Sequence, residues 1–207
     1  MIAAPFLSMI AVGPGVERAL RHDLAEAVSH ALGLRTCWLP DLPLPAVAFD
    51  ARRQQHESTE LMRDVLERVP AEAERVLALT DADLFIPALT FVFGRAQLGG
   101  RLALVSLARL RPEYHGGRSD AALLAVRARK EVLHELGHLA GLAHCAEPTC
   151  ALAFSVNVAG IDAKEARLCP ACQASARAAV APPLPPPPNA RGHTPSSAIL
   201  RGLPWRS

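Results

Sequence analysis

The chain of 207 residues has few charged residues and almost no net charge. Only 20% of its residues are charged, and 22 basic against 20 acidic side chains leave a net charge of +2. A balance so close to neutral creates no strong field that would attract nucleic acid or anionic lipid. Half of the residues are hydrophobic, so the chain can bury a core, and a collagen-like or wholly disordered protein is excluded.

The sequence also lacks a basic segment followed by a long apolar run near its start. Residues 1–16 carry no charge, but they are interrupted by Pro5, Gly13, Pro14 and Gly15. This pattern predicts neither a membrane span nor a signal peptide. The five cysteines are an odd number, which argues against a disulfide framework and favours a reducing compartment. We therefore expect a cytoplasmic protein without a membrane partner.

Apolar runs of strand length alternate with helical periods, which is typical of an α/β (α+β) fold. A change of composition after residue 177 predicts a domain over 1–177 and a proline-rich, disordered tail over 178–207. The predicted strands are 6–12, 37–39, 76–79, 84–86, 91–93 and 102–107, and the predicted helices are 16–34, 58–69, 119–140 and 162–168.

The first motif that carries chemistry is H-E-x-x-H-x-x-G-x-x-H, formed by His134, Glu135, His138, Gly141 and His144. Two histidines four residues apart on a helix present their rings to the same face, so both can bind one ion. A glycine after the helix permits a positive φ, and His144 can then return as a third nitrogen ligand. Three protein ligands leave the fourth position of a zinc ion for water, as in catalytic sites. The alternative is a solvated helix face.

Glu135 directly follows the first of these histidines. On a helix it is turned about 100° away from His134, so that it can face a zinc-bound water rather than the metal. Zinc lowers the pKa of such a water to about 7, and a nearby carboxylate can take its proton and pass it to a leaving amine. We predict that Glu135 is a general base.

Cys145, Cys150, Cys169 and Cys172 follow this motif within a short segment. Cys169 and Cys172 have the two-residue gap of a zinc-binding pair, and the gap of four between Cys145 and Cys150 lies within the spacing that ligand pairs tolerate. Four thiolates would fill a tetrahedral shell, which predicts a closed, structural zinc site over 145–172. The alternatives are two chance pairs or redox-active thiols.

The run HELGHLAGLAHCAEPTC, followed by CPAC, resembles the archaemetzincins, a branch of the metzincin zinc metallopeptidases. The resemblance extends upstream through TDADLFIPALTFVFGRAQLGGRLALVSLARLRPEYHG and covers about residues 1–173. It implies a compact metzincin-like zincin fold, with a mixed sheet over an active-site helix and a C-terminal four-cysteine zinc subdomain. It also implies two zinc ions: a catalytic one bound by His134, His138 and His144 beside the base Glu135, and a structural one bound by Cys145, Cys150, Cys169 and Cys172.

The sequence departs from the family pattern at Leu152, where a methionine is expected beneath the catalytic zinc. Leucine is similar in volume and polarity, so we expect a small effect on stability and an intact site. By resemblance, strand 102–107 is the sheet edge that pairs with an extended substrate, and the alternative is an interior strand. Tyr114 and His115 precede the active-site helix and either contact the reaction centre or are plain loop residues.

The main hypothesis for function is a zinc metallopeptidase that acts on peptides or proteins with narrow or short-peptide specificity, including aminopeptidase-like action. The alternative is a catalytically silent, zinc-bound peptide-binding or regulatory module, which only Leu152 and the proline-rich tail favour. A nucleic-acid partner is not expected, because segment 145–172 has Lys164 and Arg167 as its only basic residues. The sequence does not determine the oligomeric state.

Overall fold

The computed structural model describes residues 6–181, which contain nine strands and five α-helices. No helix among them combines the length and the apolar character that crossing a bilayer requires. In chain order the elements are β1 (Phe6–Val12), α1 (Arg18–Leu32), β2 (Arg35–Trp38), β3 (Phe49–Asp50), β4 (Gln55–Glu57), α2 (Ser58–Arg68), β5 (Val76–Thr80), β6 (Leu84–Ile86), β7 (Leu89–Val92), β8 (Gly94–Ala96), β9 (Leu102–Ser106), α3 (Ala121–Leu139), α4 (Val158–Ala163) and α5 (Pro170–Val180).

The main sheet is mixed and has the strand order β2-β1-β5-β9-β8. Strands β2, β1, β5 and β9 are parallel, whereas β8 pairs antiparallel with β9. A second, four-stranded sheet has the order β3-β4-β6-β7 and ends beside β8 in the chain. Both sheets lie in an α/β arrangement, as the alternation of strand and helix patterns predicts.

The two faces of the main sheet bury different helices. Successive strand residues point to opposite faces, and the parallel strands β5 and β9 are apolar throughout because both of their faces are covered. One face packs against α1 and α3, and the other against α2. The residues of β5 and β9 on the first face are Leu77, Leu79, Ala103 and Val105, and those on the second are Val76, Ala78, Leu102 and Leu104.

This packing holds α3 against the sheet, where it contacts β9 and the edge strand β8. The helix begins at the N-cap Asp120, whose carboxylate accepts a hydrogen bond from the Leu123 amide at 2.9 Å. It ends before Gly141, which has a φ of 89°. The predicted helix and its left-handed end are thus confirmed.

The predicted helix over 162–168 is wrong. The structure has a shorter and earlier helix, α4, whose N-cap Asn157 accepts from the Gly160 amide at 2.9 Å. The spacing of Asp162 and Glu165 suggests a capping box, but the Asp162 carboxylate binds both Nε and Nη2 of Arg127, at 2.7 and 2.6 Å. A long-range ion pair therefore takes the carboxylate that the local pattern assigned to a cap.

The placement of strand 102–107 at the edge of the sheet is also wrong, and the alternative of an interior strand is correct. This strand is β9, which lies between β5 and β8 and is fully buried. The edge position belongs to β8, a strand of three residues that includes a glycine and an arginine. A segment so short and so mixed in character has no recognisable strand pattern, which is why the sequence did not reveal it.

The chain continues in a helix across the expected domain boundary at residue 177, since α5 ends at Val180. Because the residues after 181 are not described, the division of the chain at 177 stays a prediction. The proline-rich tail over 178–207 lies almost entirely outside the described residues.

Candidate functional site

The last turns of α3 and the loop after it bring the three motif histidines together. His134 and His138 lie one turn apart on α3, and the reversal at Gly141 returns His144 to the same point. The ligand nitrogens of the three rings all lie within 4.8 Å of one another. Three nitrogens from one helix and the following loop match the donor set of a catalytic zinc site.

Two backbone carbonyls orient the helical histidines. His134 Nδ1 donates to Ala151 O at 3.0 Å, and His138 Nδ1 donates to Leu142 O at 2.8 Å. A carbonyl only accepts, so Nδ1 carries the proton and Nε2 presents its lone pair to the centre. Burial lowers the pKa of His134 to about 3, which keeps its ring neutral. The two Nε2 atoms face each other at 3.1 Å, an arrangement of lone pairs that a cation between them would stabilise.

Glu135 is buried beside this centre and lines the same cleft. Burial raises the pKa of Glu135 well above its usual value, and the neighbouring Glu131 raises it further. The carboxylate lies against the edge strand at Gly94, where an added Cβ would be 2.6 Å from Glu135 Oε1. Gly94 thus leaves the space that the carboxylate occupies. Sequence analysis missed this residue, whose only signal was a glycine directly after an apolar run.

The cleft over the histidines encloses about 450 Å³. Strands β7 and β8 form one wall, and α3 and residues 154–156 form the other. Much of the rim is apolar, because Leu89, Phe154 and Val156 have exposed fractions of 52%, 67% and 67%. The ring of Phe154 also packs against that of His144, with 5.0 Å between centroids. A pocket of this size with apolar walls suits a small part of a peptide.

Leu152 lies beneath the histidines, at the position where the archaemetzincin pattern has a methionine. It is fully buried, and a Cβ on Gly137 of α3 would be 2.7 Å from Leu152 Cδ1. The Leu152 carbonyl accepts from the Cys145 amide at 3.0 Å. The side chain therefore packs tightly under the turn of α3 that carries His134 and His138.

The four clustered cysteines form a second group, next to the first. Their sulfur atoms all lie within 4.8 Å of one another. The amides of Cys169 and Glu147 donate to the sulfurs of Cys150 and Cys145, at 3.2 and 3.4 Å. A hydrogen bond from the Cys172 backbone lowers the pKa of Cys169 to about 7, whereas burial raises the pKa of Cys172. Four sulfurs with backbone amide donors fit a tetrahedral zinc ion.

Tyr114 and His115 lie outside the cleft. They belong to a short turn, Pro112–His115, in which Tyr114 is exposed and His115 Nε2 lies 2.8 Å from the carbonyl oxygen of Arg109. The guanidinium of Arg109 lies over the Tyr114 ring, 4.9 Å from its centroid. These contacts favour the interpretation as loop residues.

Comparison with known proteins identifies the family. The sequence model of peptidase family M54 matches residues 55–177. The archaemetzincin of Methanocaldococcus jannaschii is 40% identical over 134 residues, which are 65% of this chain and 73% of the relative. The chain belongs to peptidase family M54. A further M54 relative, the archaemetzincin of Methanopyrus kandleri, is 39% identical over 147 residues, 71% of this chain and 80% of the relative.

Solved structures agree with this membership in M54. The crystal structure of the Methanopyrus kandleri archaemetzincin has a TM-score of 0.76 and 32% identity, over 87% of this chain and 98% of that one. A zinc-dependent peptidase from Methanocorpusculum labreanum has a TM-score of 0.73 and 28% identity, over 82% and 99% of the two chains. The predicted family, the metzincin-like α/β fold and the assignment as a zinc metallopeptidase are thereby confirmed.

Proposed function

We propose that this M54 peptidase hydrolyses peptides with narrow or short-peptide specificity, by means of a water that Glu135 activates at a zinc ion held by His134, His138 and His144. The observation that carries the proposal is the convergence of three ring nitrogens and one buried carboxylate on a single cleft. Three nitrogens leave the fourth position of a zinc ion open for water. A glutamate beside an open coordination position adds the group that hydrolysis needs.

Each residue of the site has a distinct task in this mechanism. The carbonyls of Ala151 and Leu142 hold the two helical histidines with their Nε2 atoms towards the centre. Zinc held by His134, His138 and His144 would supply Lewis acidity, which would lower the pKa of a bound water to about 7 and polarise the scissile carbonyl. The Glu135 carboxylate would accept a proton from the water as the water oxygen bonds to the carbonyl carbon, and would donate that proton to the amine nitrogen as the C–N bond breaks.

The edge strand β8 is the part of the cleft that we expect to bind the substrate backbone. It is the last strand of the main sheet, and its residues line the cleft. An extended peptide can add to such an edge through main-chain hydrogen bonds, while side-chain pockets provide selectivity. The exposed Leu89, Phe154 and Val156 favour an apolar substrate side chain.

We also propose a second, structural zinc ion at Cys145, Cys150, Cys169 and Cys172. A closed site of four sulfurs leaves no position for a substrate, so its role is to fold the segment 145–172 against α3. Thiols that bind zinc must stay reduced. For this reason we place the protein in the cytoplasm.

The proposal is tested with the zinc-loaded chain, a mixture of short peptides and mass spectrometry. We expect cleavage by the parent and loss of cleavage in Glu135→Ala, with the histidine-site zinc retained. Matched peptides with free and acetylated N-termini distinguish aminopeptidase from endopeptidase action. Peptide capture that survives Glu135→Ala, with no turnover by the parent, would instead support the silent binding module.

A further inference from the structure

Lys164 is a buried lysine that the proposed mechanism does not use. It directly follows α4, and its side chain has an exposed fraction of only 2%. Its Nζ donates to Ala153 O at 3.0 Å, to Ala151 O at 3.2 Å and to Glu131 Oε1 at 3.4 Å. An ammonium group has three donors, so the three acceptors satisfy it completely.

The two carbonyl acceptors belong to the turn beneath the histidines. Residues 151–153 place Leu152 under Gly137 of α3. The Ala151 carbonyl accepts not only from Lys164 but also from His134 Nδ1, at 3.0 Å. A single oxygen atom therefore joins the buried ammonium to a ring that we propose as a zinc ligand.

The third acceptor connects Lys164 to the cleft wall. Glu131 lies one turn before Glu135 on α3, and its side chain is 5% exposed and lines the cleft. Lys164 supplies the positive charge beside this carboxylate. A buried ion pair by itself is weak support for a stabilising role, because two apolar side chains often stabilise a core as well or better. The hydrogen bonds of Lys164 to the 151–153 turn, rather than the charge of the pair, therefore indicate its role.

A second buried lysine shows which contacts set Lys164 apart. Lys130, which lies on α3 next to Glu131, is buried, and its Nζ donates to Asp162 O at 3.0 Å. Its hydrogen bond ties α3 to α4 but reaches neither carbonyl of the 151–153 turn. Lys130 is thus a matched comparison: a buried ammonium in the same neighbourhood without a link to the histidines.

We propose that Lys164 is a positioning residue for the catalytic zinc site, which fixes the carbonyls of Ala151 and Ala153 so that Ala151 O orients the His134 ring. The inference rests on the proposed ligand role of His134. Without the ammonium, the Ala151 carbonyl keeps only the histidine as a donor, and the direction of its oxygen is less firmly fixed. The ring then loses the fixed direction of its Nε2 lone pair. Partners of this kind typically change metal affinity by about 10–100-fold.

The test is the zinc affinity of the histidine site in Lys164→Met, which keeps the length and apolar stem of the side chain. Competition with a chelator measures the affinity, and His134→Ala/His138→Ala gives the contribution of the cysteine site. We expect affinity to fall about 10–100-fold in Lys164→Met and to stay within about twofold of the parent in Lys130→Met. The visible spectrum of the cobalt-substituted protein should change in the first variant only.

Lys164→Met also leaves the Glu131 carboxylate buried without its partner, which could unfold the chain. The double variant Glu131→Gln/Lys164→Met removes that charge, and like Lys164→Met it lacks the hydrogen bonds to the carbonyls of Ala151 and Ala153. We expect it to fold and to keep the loss of affinity. Affinity equal to that of the parent, in either variant, would overturn the proposal.

The outcomes separate this inference from the proposed function. If the parent binds zinc at the histidines and cleaves peptides while Lys164→Met binds equally well, the positioning role is refuted and the function stands. If the parent binds no zinc at the histidines, the function and the positioning role fall together. If both lysine variants lose affinity equally, the effect belongs to buried charge in general and the specific role of Lys164 is refuted.

Discussion

Gly94→Ala tests how closely the edge strand must approach the proposed base. The new Cβ would lie 2.6 Å from Glu135 Oε1, 2.7 Å from Glu135 Cγ and 2.8 Å from the Leu104 carbonyl oxygen. Carbon atoms do not approach so closely without movement, and Leu104 belongs to the buried strand β9. The Glu135 side chain is the softer partner, and we expect it to move by about 1 Å. A misplacement of that size costs about 100-fold in rate, or about 2.7 kcal/mol of barrier.

The assay is steady-state hydrolysis of a short peptide, with the zinc content and the thermal unfolding midpoint measured on the same sample. We predict a kcat about 100-fold lower, with zinc still bound at the histidines, because the atoms nearest to the new Cβ belong to Glu135 and Leu104. Ala96→Gly, on the same strand, removes a methyl group without filling the space of Glu135 and is the control. A Gly94→Ala enzyme within about threefold of the parent would refute the reasoning, since it would show that the position of the carboxylate does not limit the reaction.

Three further variants test other parts of the structure. Leu152→Met should change the free energy of unfolding by less than about 1.5 kcal/mol in denaturant titrations, and a larger loss would show that the packing under Gly137 requires leucine. Cys172→Ser should lower the thermal midpoint and abolish the protection that zinc gives at the cysteine site, whereas an unchanged midpoint would argue against a structural metal. Asp162→Asn removes a carboxylate whose pKa Arg127 lowers through their hydrogen bonds. The stability that this pair contributes is present above the unfolded pKa of about 3.9 and is lost as pH falls through the lower native value. The thermal midpoint of Asp162→Asn should therefore differ most from that of the parent at neutral pH, and the difference should disappear in acid. A difference that does not change with pH would contradict the lowered pKa of Asp162.

The two groups of candidate metal ligands were predictable because the spacing that brings them together is mostly local. The spacing of His134 and His138 places two rings on one helix face, and Gly141 provides the turn that returns His144. The cysteines follow within one segment and need no knowledge of the sheet. For these residues, spacing along the chain largely determines spacing in the fold.

The features that sequence analysis missed depend on contacts between distant segments. Gly94 meets Glu135 only because β8 pairs with β9 and lies against α3. Lys164 and Glu131 are 33 residues apart in the chain, and nothing near either residue marks the pair. The apolar run of β9 indicated a strand. Such a run does not tell whether the strand lies inside the sheet, buried on both faces, or at its edge.

The measurement that tests the account most directly is the zinc-to-protein ratio of the purified chain, beside that of His134→Ala/His138→Ala. We expect two zinc ions per chain in the parent and one in the variant, because the histidine site is lost and the cysteine site remains. One zinc ion per chain in both proteins would contradict it, since the histidines would then hold no metal and Glu135 would have no water to activate.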